Sequence, residues 1–360
     1  MSTKNTQVRA QLLQAGLIEE AAPETGKLES PWYVKVLLAF SGWLAALLLL
    51  CFIGIGFDLI IENSTVMLIT GGMMIGGAFA LLRISKNEFV EHLALAVSLA
   101  GQALVVFALF DGSDLDSITV WLLVALMQIS LALVMPNFVH RVFSSFIAAL
   151  AFNLVLSFWG LHYAVGGIVM LLAAVCWLYE FSHPQQMRVK QAIGYGLVLA
   201  LLLFKGTTLY GFHRVIDWLD EQFVPDRLEL LDKPWLDEII TGMVVLYVVW
   251  QILQRYGQPV AERISVTALL GTVLLCVASV KVQGITVGMV ILLLGFAGAN
   301  RVLLGLGIMS LLFYISFYYY LLNATLLAKS QTLLIVGLVL LLIRWLMLTI
   351  IPVDREADHV

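Results

Sequence analysis

The chain has 360 residues, of which 61% are hydrophobic and only 12% are charged, and its formal net charge is −4. A soluble domain holds about a quarter charged residues and about 45–50% apolar ones, so a mean hydropathy of +0.98 excludes an ordinary water-soluble globule. The slightly acidic balance gives no indication of nucleic-acid binding. This composition predicts a chain whose partner and solvent is the lipid bilayer.

Residues 1–30 are polar and are predicted to form a cytoplasmic N-terminal segment. The rest of the chain carries twelve apolar runs, each close to the ~20 residues that a helix needs to cross the hydrocarbon layer. These runs lie near 34–57, 65–83, 90–110, 118–136, 142–160, 163–180, 189–209, 237–254, 264–280, 285–299, 302–322 and 331–350. Barrel strands would alternate apolar and polar residues, whereas these runs are apolar all round. The predicted fold class is therefore all-α, a polytopic membrane bundle of about twelve transmembrane helices.

The distribution of positive charge predicts the orientation. If successive connections lie on opposite sides of the membrane, 14 of the 20 Lys and Arg residues fall on one side. The positive-inside bias assigns that side, with both termini, to the cytoplasm. The outer side then holds one sizeable loop, residues 211–236, and the acidic segment DGSDLDS at 111–117.

A weak internal similarity predicts two parallel six-helix repeats. Spans one and seven share Gly, Phe and Gly at the same spacing, with Phe52 matching Phe204. Spans five and eleven are preceded by Asn137 and Asn300, which are typical helix caps. A unit with an even number of spans repeats about an axis along the membrane normal. The halves would be 31–190 and 191–360, with any cavity between them, and the alternative is chance similarity among apolar helices.

Five ionisable side chains are the candidates for a substrate or ion path, since charged groups at membrane depth are costly and usually functional. They are Asp58, Lys205, Glu91, His92 and Arg344. Lys205 lies about 23 Å into its span at 1.5 Å per residue, so its stem is expected to reach the outer headgroups. The alternative pairs Lys205 with Asp58 in a desolvated site that binds an anion or relays a proton.

The other three candidates lie near the cytoplasmic ends of their spans. Glu91 and His92 open span three, where they either face water and headgroups or sense protons through the imidazole. Arg344 is the deepest cation of span twelve, and its guanidinium must reach the headgroups or pair with a carboxylate or with carbonyl oxygens. Gln102 lies near the middle of the bilayer, where interhelical hydrogen bonding explains it.

No motif of a soluble enzyme occurs in the chain. It contains no G-x-x-x-x-G-K-[ST], H-E-x-x-H, Cys-x-x-Cys or G-x-S-x-G, and its six histidines have no metal-ligand spacing. The sequence therefore predicts no catalytic residue, no metal site and no cofactor, and it predicts that the protein is not an enzyme.

Two segments resemble a known family. They are NRVLLGLGIMSLLFYISFYYYLLNATLLAKSQTLLIVGLVLLLIRWL at 300–346 and PWYVKVLLAFSGWLAALLLL at 31–50. They are similar to bacterial inner-membrane proteins that are known only as a domain of unknown function. The resemblance implies a multi-pass protein of the inner (plasma) membrane and a partner, a neighbouring membrane protein with a GDYxxLxY motif. It implies no activity and no residue roles, and the GDYxxLxY motif is absent from this chain.

Two functions follow as expectations. The first is a secondary transporter-like carrier, which twelve spans, parallel repeats and charges near both faces favour. The alternative is a non-catalytic membrane subunit or scaffold that works with the neighbouring membrane protein. A water-accessible cavity between the halves would favour the carrier.

Overall fold

A computed structural model describes most of the membrane part of the chain. The described residues are 63–84, 88–112, 115–159, 161–210, 235–257, 263–279, 284–321 and 325–350, together with 37, 40, 41, 44, 45, 48, 51 and 52. The N-terminal segment 1–30, Asp58 and residues 211–234 of the predicted outer loop lie outside them.

Eleven α-helices and two short 3-10 turns make up these ranges. The helices are α1 Ser64–Ile84, α2 Glu88–Gly112, α3 Ser117–Val134, α4 Phe138–Phe158, α5 His162–Leu178, α6 Met187–Tyr210, α7 Trp235–Arg255, α8 Arg263–Ser279, α9 Ile285–Ala297, α10 Arg301–Leu321 and α11 Leu326–Ile350. The 3-10 turns are Glu180–Ser182 and Pro184–Gln186. Each helix overlaps one of the last eleven predicted runs, and the described residues from 37 to 52 are also helical.

The all-α prediction is confirmed, because the described residues contain no strand. Six stretches are long and apolar enough to cross a membrane, and they include α1 to α4 and parts of α6 and α7. The remaining helices contribute shorter apolar stretches within the described residues. The described part of the chain thus contains six helices that are capable of crossing a membrane, while the count of twelve crossings stays a prediction.

Asparagine side chains begin three of the helices, and this confirms the predicted caps. The Oδ1 atom of Asn137 accepts a hydrogen bond of 3.1 Å from the backbone N–H of His140, in the first turn of α4. The Oδ1 atom of Asn300 accepts one of the same length, 3.1 Å, from the N–H of Leu303 in α10. Asn63 has the same role at α1. Each cap satisfies backbone donors that the helix itself leaves unpaired.

Glycines bring two helical hairpins into backbone contact. A Cβ atom added to Gly71 of α1 would lie 2.6 Å from the carbonyl oxygen of Gly101 in α2. In the second hairpin, a Cβ atom at Gly295 of α9 or Gly307 of α10 would lie 2.6 Å from a backbone nitrogen of the other helix. Helices without side chains at the contact approach closely, and in lipid such packing drives their association.

The largest apolar core lies among α4, α5, α6, α7, α9 and α10. Its fully buried members include Met170 of α5, Leu201 of α6, Val248 of α7 and Ile291 of α9. The helices that build it come from both sides of the predicted boundary at residue 190, so the two halves meet here in packed apolar side chains. Phe204 packs against this core whereas its predicted counterpart Phe52 is exposed, and the six-helix repeat stays a prediction.

Candidate functional site

Lys205 lies near the C-terminal end of α6 and is 4% exposed. Its ammonium forms an ion pair with Oδ2 of Asp237 and lies 3.3 Å from Oε1 of Glu238. The expectation that Lys205 extends to the outer headgroups is therefore wrong, because the side chain points into the bundle, where two carboxylates compensate its charge. The alternative partner, Asp58, lies outside the described residues.

The local structure of α7 explains why one lysine meets two acids. Asp237 and Glu238 occupy the first turn of α7, where negative charge is stabilised by the N-terminal end of the helix dipole. The hydroxyl of Thr241 donates to the carbonyl oxygens of both residues, at 2.7 Å and 3.2 Å. Neighbouring residues of a helix point about 100° apart, so the long side chain of Lys205 lies between the two carboxylates.

Two further helices complete the cluster. The Ser279 hydroxyl at the end of α8 donates to Oε2 of Glu238 over 3.3 Å. On the other side, Gly166 of α5 leaves room for Asp237, because a Cβ atom there would lie 2.8 Å from Oδ1 of that carboxylate. This Oδ1 atom is buried, and it has no hydrogen-bond partner in the described part of the chain.

The charges of the cluster do not balance when all three groups are ionised. Two carboxylates and one ammonium leave a formal charge of −1 among side chains that are 5% exposed for Lys205, 16% for Asp237 and 8% for Glu238. An unbalanced charge away from water costs several kcal/mol, roughly, even after relaxation of the protein. One added positive charge would balance the cluster, and the buried Oδ1 atom of Asp237 has no donor in the described part of the chain.

Sequence reasoning did not single out Asp237 and Glu238, although both lie within predicted span eight. Acids at the start of a helix are common, since they complement the helix dipole, and this pair resembled such an ordinary helix entry. The signal that could have found them was their position in the membrane. The two adjacent acids begin span eight on the predicted outer side, and Lys205 lies near the outer end of span seven.

Glu91 lies in a different place, at the opposite end of the bundle. Its Oε2 atom accepts a hydrogen bond of 3.4 Å from the side-chain amide of Asn137. With Arg141 and Arg188 it lines a cavity of about 380 Å³. His92, the next residue of α2, is half-buried.

The structure separates the predicted candidates. Arg188 begins α6 and Lys205 lies 17 residues further on, which corresponds to about 26 Å along a helix. Glu91 and Lys205 therefore belong to clusters at the two ends of α6. Arg344 is exposed on α11, whose described packing partner is α8.

A third cluster of polar side chains is held together by hydrogen bonds. The buried His140 ring contacts Ser98 Oγ at 2.8 Å and Gln102 Nε2 at 3.2 Å through its Nε2 atom. The amide of Gln128 donates to Oε1 of Gln102 over 2.9 Å. These bonds join α2, α3 and α4, and they confirm the interhelical hydrogen bonding predicted for Gln102.

The clusters offer little to a metal ion. Over the described ranges, no group of three or more His, Cys, Asp or Glu side chains could hold one. The Lys205 cluster offers a buried ammonium, two carboxylates and one acceptor oxygen without a described donor.

A family model described as "Domain of unknown function (DUF4401)" matches residues 31–350. No curated protein and no solved structure matches the chain.

Proposed function

The chain belongs to the DUF4401 family, to which no activity is attached, and we propose that it is a secondary transporter-like carrier whose Lys205 cluster binds and releases a proton. The observation that supports this proposal is the buried ion pair of Lys205 with Asp237 and Glu238. Ionisable groups inside membrane helix bundles face the interior and mark ion or proton pathways.

The proton affinity of the cluster depends on its access to water. In the proposed cycle, the unfavourable net charge of −1 favours the uptake of one proton by the buried cluster. When a conformational change admits water, hydration stabilises the ionised form and the proton leaves. A ligand that binds two conformations with different affinity shifts their populations. The proton is this ligand here, so a proton gradient across the membrane drives the conformational cycle of the carrier.

The proposed setting is the bacterial inner membrane, with twelve crossings and both termini in the cytoplasm. The halves 31–190 and 191–360 meet in packed apolar side chains, and the charged groups lie at the two ends of α6. The cavity is lined by the end of α1, the start of α2, the start of α4 and Arg188 at the start of α6. All of these are predicted to lie on the cytoplasmic side. The Lys205 cluster is formed by the end of α6, the start of α7 and the end of α8. All of these are predicted to lie on the outer side of the membrane.

Charge displacement after a pH jump tests the proposal without knowledge of the transported solute. Reconstituted membranes are adsorbed on a solid-supported electrode, and the external pH is stepped. Wild type should give a transient current as protons enter the cluster. The triple variant Lys205→Met/Asp237→Asn/Glu238→Gln, which is neutral, should give none, and Lys190→Met at the other end of α6 should keep it. An unchanged current in the triple variant would refute the proton site.

The alternative function is a non-catalytic subunit or scaffold beside the neighbouring GDYxxLxY membrane protein. One observation favours it: Cβ atoms added to Gly72 and Gly76 of α1 meet nothing within 4 Å in the described structure. Two glycines four residues apart allow a further helix to approach closely. Co-purification of the two proteins in mild detergent, lost in Gly72→Leu/Gly76→Leu, would support the scaffold, and a chain that purifies alone would count against it.

A further inference from the structure

The cavity beside Glu91 contains charges of both signs. Its lining includes the carboxylate of Glu91 and the guanidinium groups of Arg141 and Arg188, and its volume is about 380 Å³. Within the described ranges, the ion pairs are those of Lys205 with Asp237 and Glu238, so these three charges are not paired with one another. The volume lies within the ~300–1,000 Å³ of small-molecule sites.

Two of the three charged groups, Arg141 and Glu91, are held by hydrogen bonds and keep capacity for a ligand, whereas Arg188 is exposed. Arg141 donates from Nε to the carbonyl oxygen of Met135 and from Nη2, over 3.5 Å, to that of Leu133. These bonds fix the guanidinium at the end of α3 and occupy two of its five N–H groups. Glu91 receives the Asn137 amide on one oxygen, and its second oxygen remains an acceptor. The cavity thus presents fixed donors beside a carboxylate.

The first residues of α4 add to the positive side. Phe138 and Val139 line the cavity and begin a helix of 21 residues. The N-terminal end of a helix attracts anions, because its first N–H groups lack intrahelical partners. A phosphate group placed near this helix end would contact Arg141 and Arg188 as well.

The cavity also has an apolar rim. Phe138 and Val139 are each 39% exposed, and Leu82 of α1 lies beside them in the lining. The cavity is at the predicted cytoplasmic end of the helices, where the headgroups of the inner leaflet lie. A ligand with a phosphate, a nearby ammonium and an apolar tail matches all three features.

We propose that this cavity binds the headgroup of a zwitterionic phospholipid, with Arg141 and Arg188 contacting the phosphate and Glu91 accepting hydrogen bonds from a primary ammonium. The acyl chains then lie along Leu82, Phe138 and Val139. A phosphatidylethanolamine satisfies both charges. A phosphatidylcholine offers Glu91 no N–H donor, and a phosphatidylglycerol offers it no cation.

Native mass spectrometry of the purified full chain tests this assignment. Phosphatidylethanolamine, phosphatidylcholine and phosphatidylglycerol with identical acyl chains are added in turn, and the affinity of each is measured. Wild type should bind phosphatidylethanolamine about tenfold or more tightly than the other two, because a hydrogen bond between charged groups supplies that factor. Equal binding of all three lipids by wild type would overturn the proposal.

Two near-isosteric variants separate the contacts. Glu91→Gln should remove the preference for phosphatidylethanolamine while phosphatidylglycerol binds unchanged or more tightly. Arg188→Gln should weaken all three lipids by about tenfold. The matched control is Arg83→Gln. The Arg83 guanidinium stacks 4.6 Å from the Phe79 ring, at the same predicted membrane level but outside the lining of the cavity. The lipid affinities of this variant should stay as in wild type. A preference that survives Glu91→Gln would overturn the assignment.

A soluble headgroup decides whether the ligand is a lipid. Glycerophosphoethanolamine carries the same two charges but has no acyl chains. The proposal predicts that it binds much more weakly than phosphatidylethanolamine. Equal affinity would show that the cavity takes a soluble zwitterion, and the lipid assignment would be wrong.

Discussion

Replacement of Lys205 by Met is the sharpest test of the energetics of the buried cluster. Methionine keeps an unbranched stem of similar length but removes the ammonium, so the buried acids Asp237 and Glu238 lose the positive charge that compensates them. Removal of one partner of a buried ion pair typically costs about 3–5 kcal/mol. The side chains involved are at most 16% exposed, so solvent screening reduces this figure little. The expected loss corresponds to roughly a hundredfold to several-thousandfold in the unfolding equilibrium.

The measurement is equilibrium unfolding in mixed micelles, on wild type, Lys205→Met and Lys190→Met. Lys190 lies on the same helix and donates to the carbonyl oxygen of Tyr179 and to Ser182 Oγ, at 2.7 Å and 2.8 Å. Its replacement removes two exposed hydrogen bonds and should cost about 1 kcal/mol. Equal losses in the two variants would refute the idea that Lys205 compensates buried carboxylates.

Two further readouts separate electrostatics from packing. The Lys205→Met penalty should shrink as the pH falls, because the two carboxylates can then accept protons and lose their charge. The triple variant Lys205→Met/Asp237→Asn/Glu238→Gln should recover most of the stability, since a neutral set replaces an uncompensated one. A penalty that is independent of pH and persists in the triple variant would indicate lost packing instead.

Three other predictions concern the bundle. Gly101→Leu should lower the free energy of unfolding in detergent by roughly 1–3 kcal/mol through overpacking against α1, whereas Gly76→Leu on the open face should change it little. Equal effects of the two substitutions would contradict the close contact. Asn300→Ala should cost about 1 kcal/mol of unfolding free energy through loss of the cap, and an unchanged value would show that the cap contributes nothing. Gln128→Leu should cost roughly 1–3 kcal/mol, because Gln102 Oε1 loses its donor, and a double-mutant cycle with Gln102→Leu should show coupling; additive losses would contradict the bond.

The apolar runs of the sequence predicted where the helices lie, and two asparagines predicted where two of them begin. The apolar runs located α1 to α11 because a helix in lipid must satisfy its backbone internally, and this requirement is visible in composition alone. Asn137 and Asn300 marked two helix starts correctly, since capping is a local interaction. The close contact of α1 with α2 is visible only in the structure, where Gly71 meets Gly101 of α2.

The site was harder to predict because it depends on which helices are neighbours. Asp58 follows the first apolar run and Asp237 begins the eighth, and both lie on the predicted outer side. Their predicted depth in the membrane therefore could not show which of them pairs with Lys205. The choice of Asp237 comes from the packing of α6, α5, α7 and α8 around one another. The same holds for the cavity, which combines Glu91 of α2 with Arg188 of α6, two residues that no sequence periodicity connects.

Infrared spectroscopy tests directly whether the Lys205 cluster holds a proton, as proposed. The protonated carboxyl group has a C=O stretching band distinct from that of a carboxylate and sensitive to exchange into D₂O. The difference spectrum between wild type and the triple variant Lys205→Met/Asp237→Asn/Glu238→Gln at neutral pH should contain this band, and raising the pH should remove it. Superimposable spectra in the carboxyl region would show that Asp237 and Glu238 are both ionised at neutral pH, and the proton-binding carrier would be contradicted.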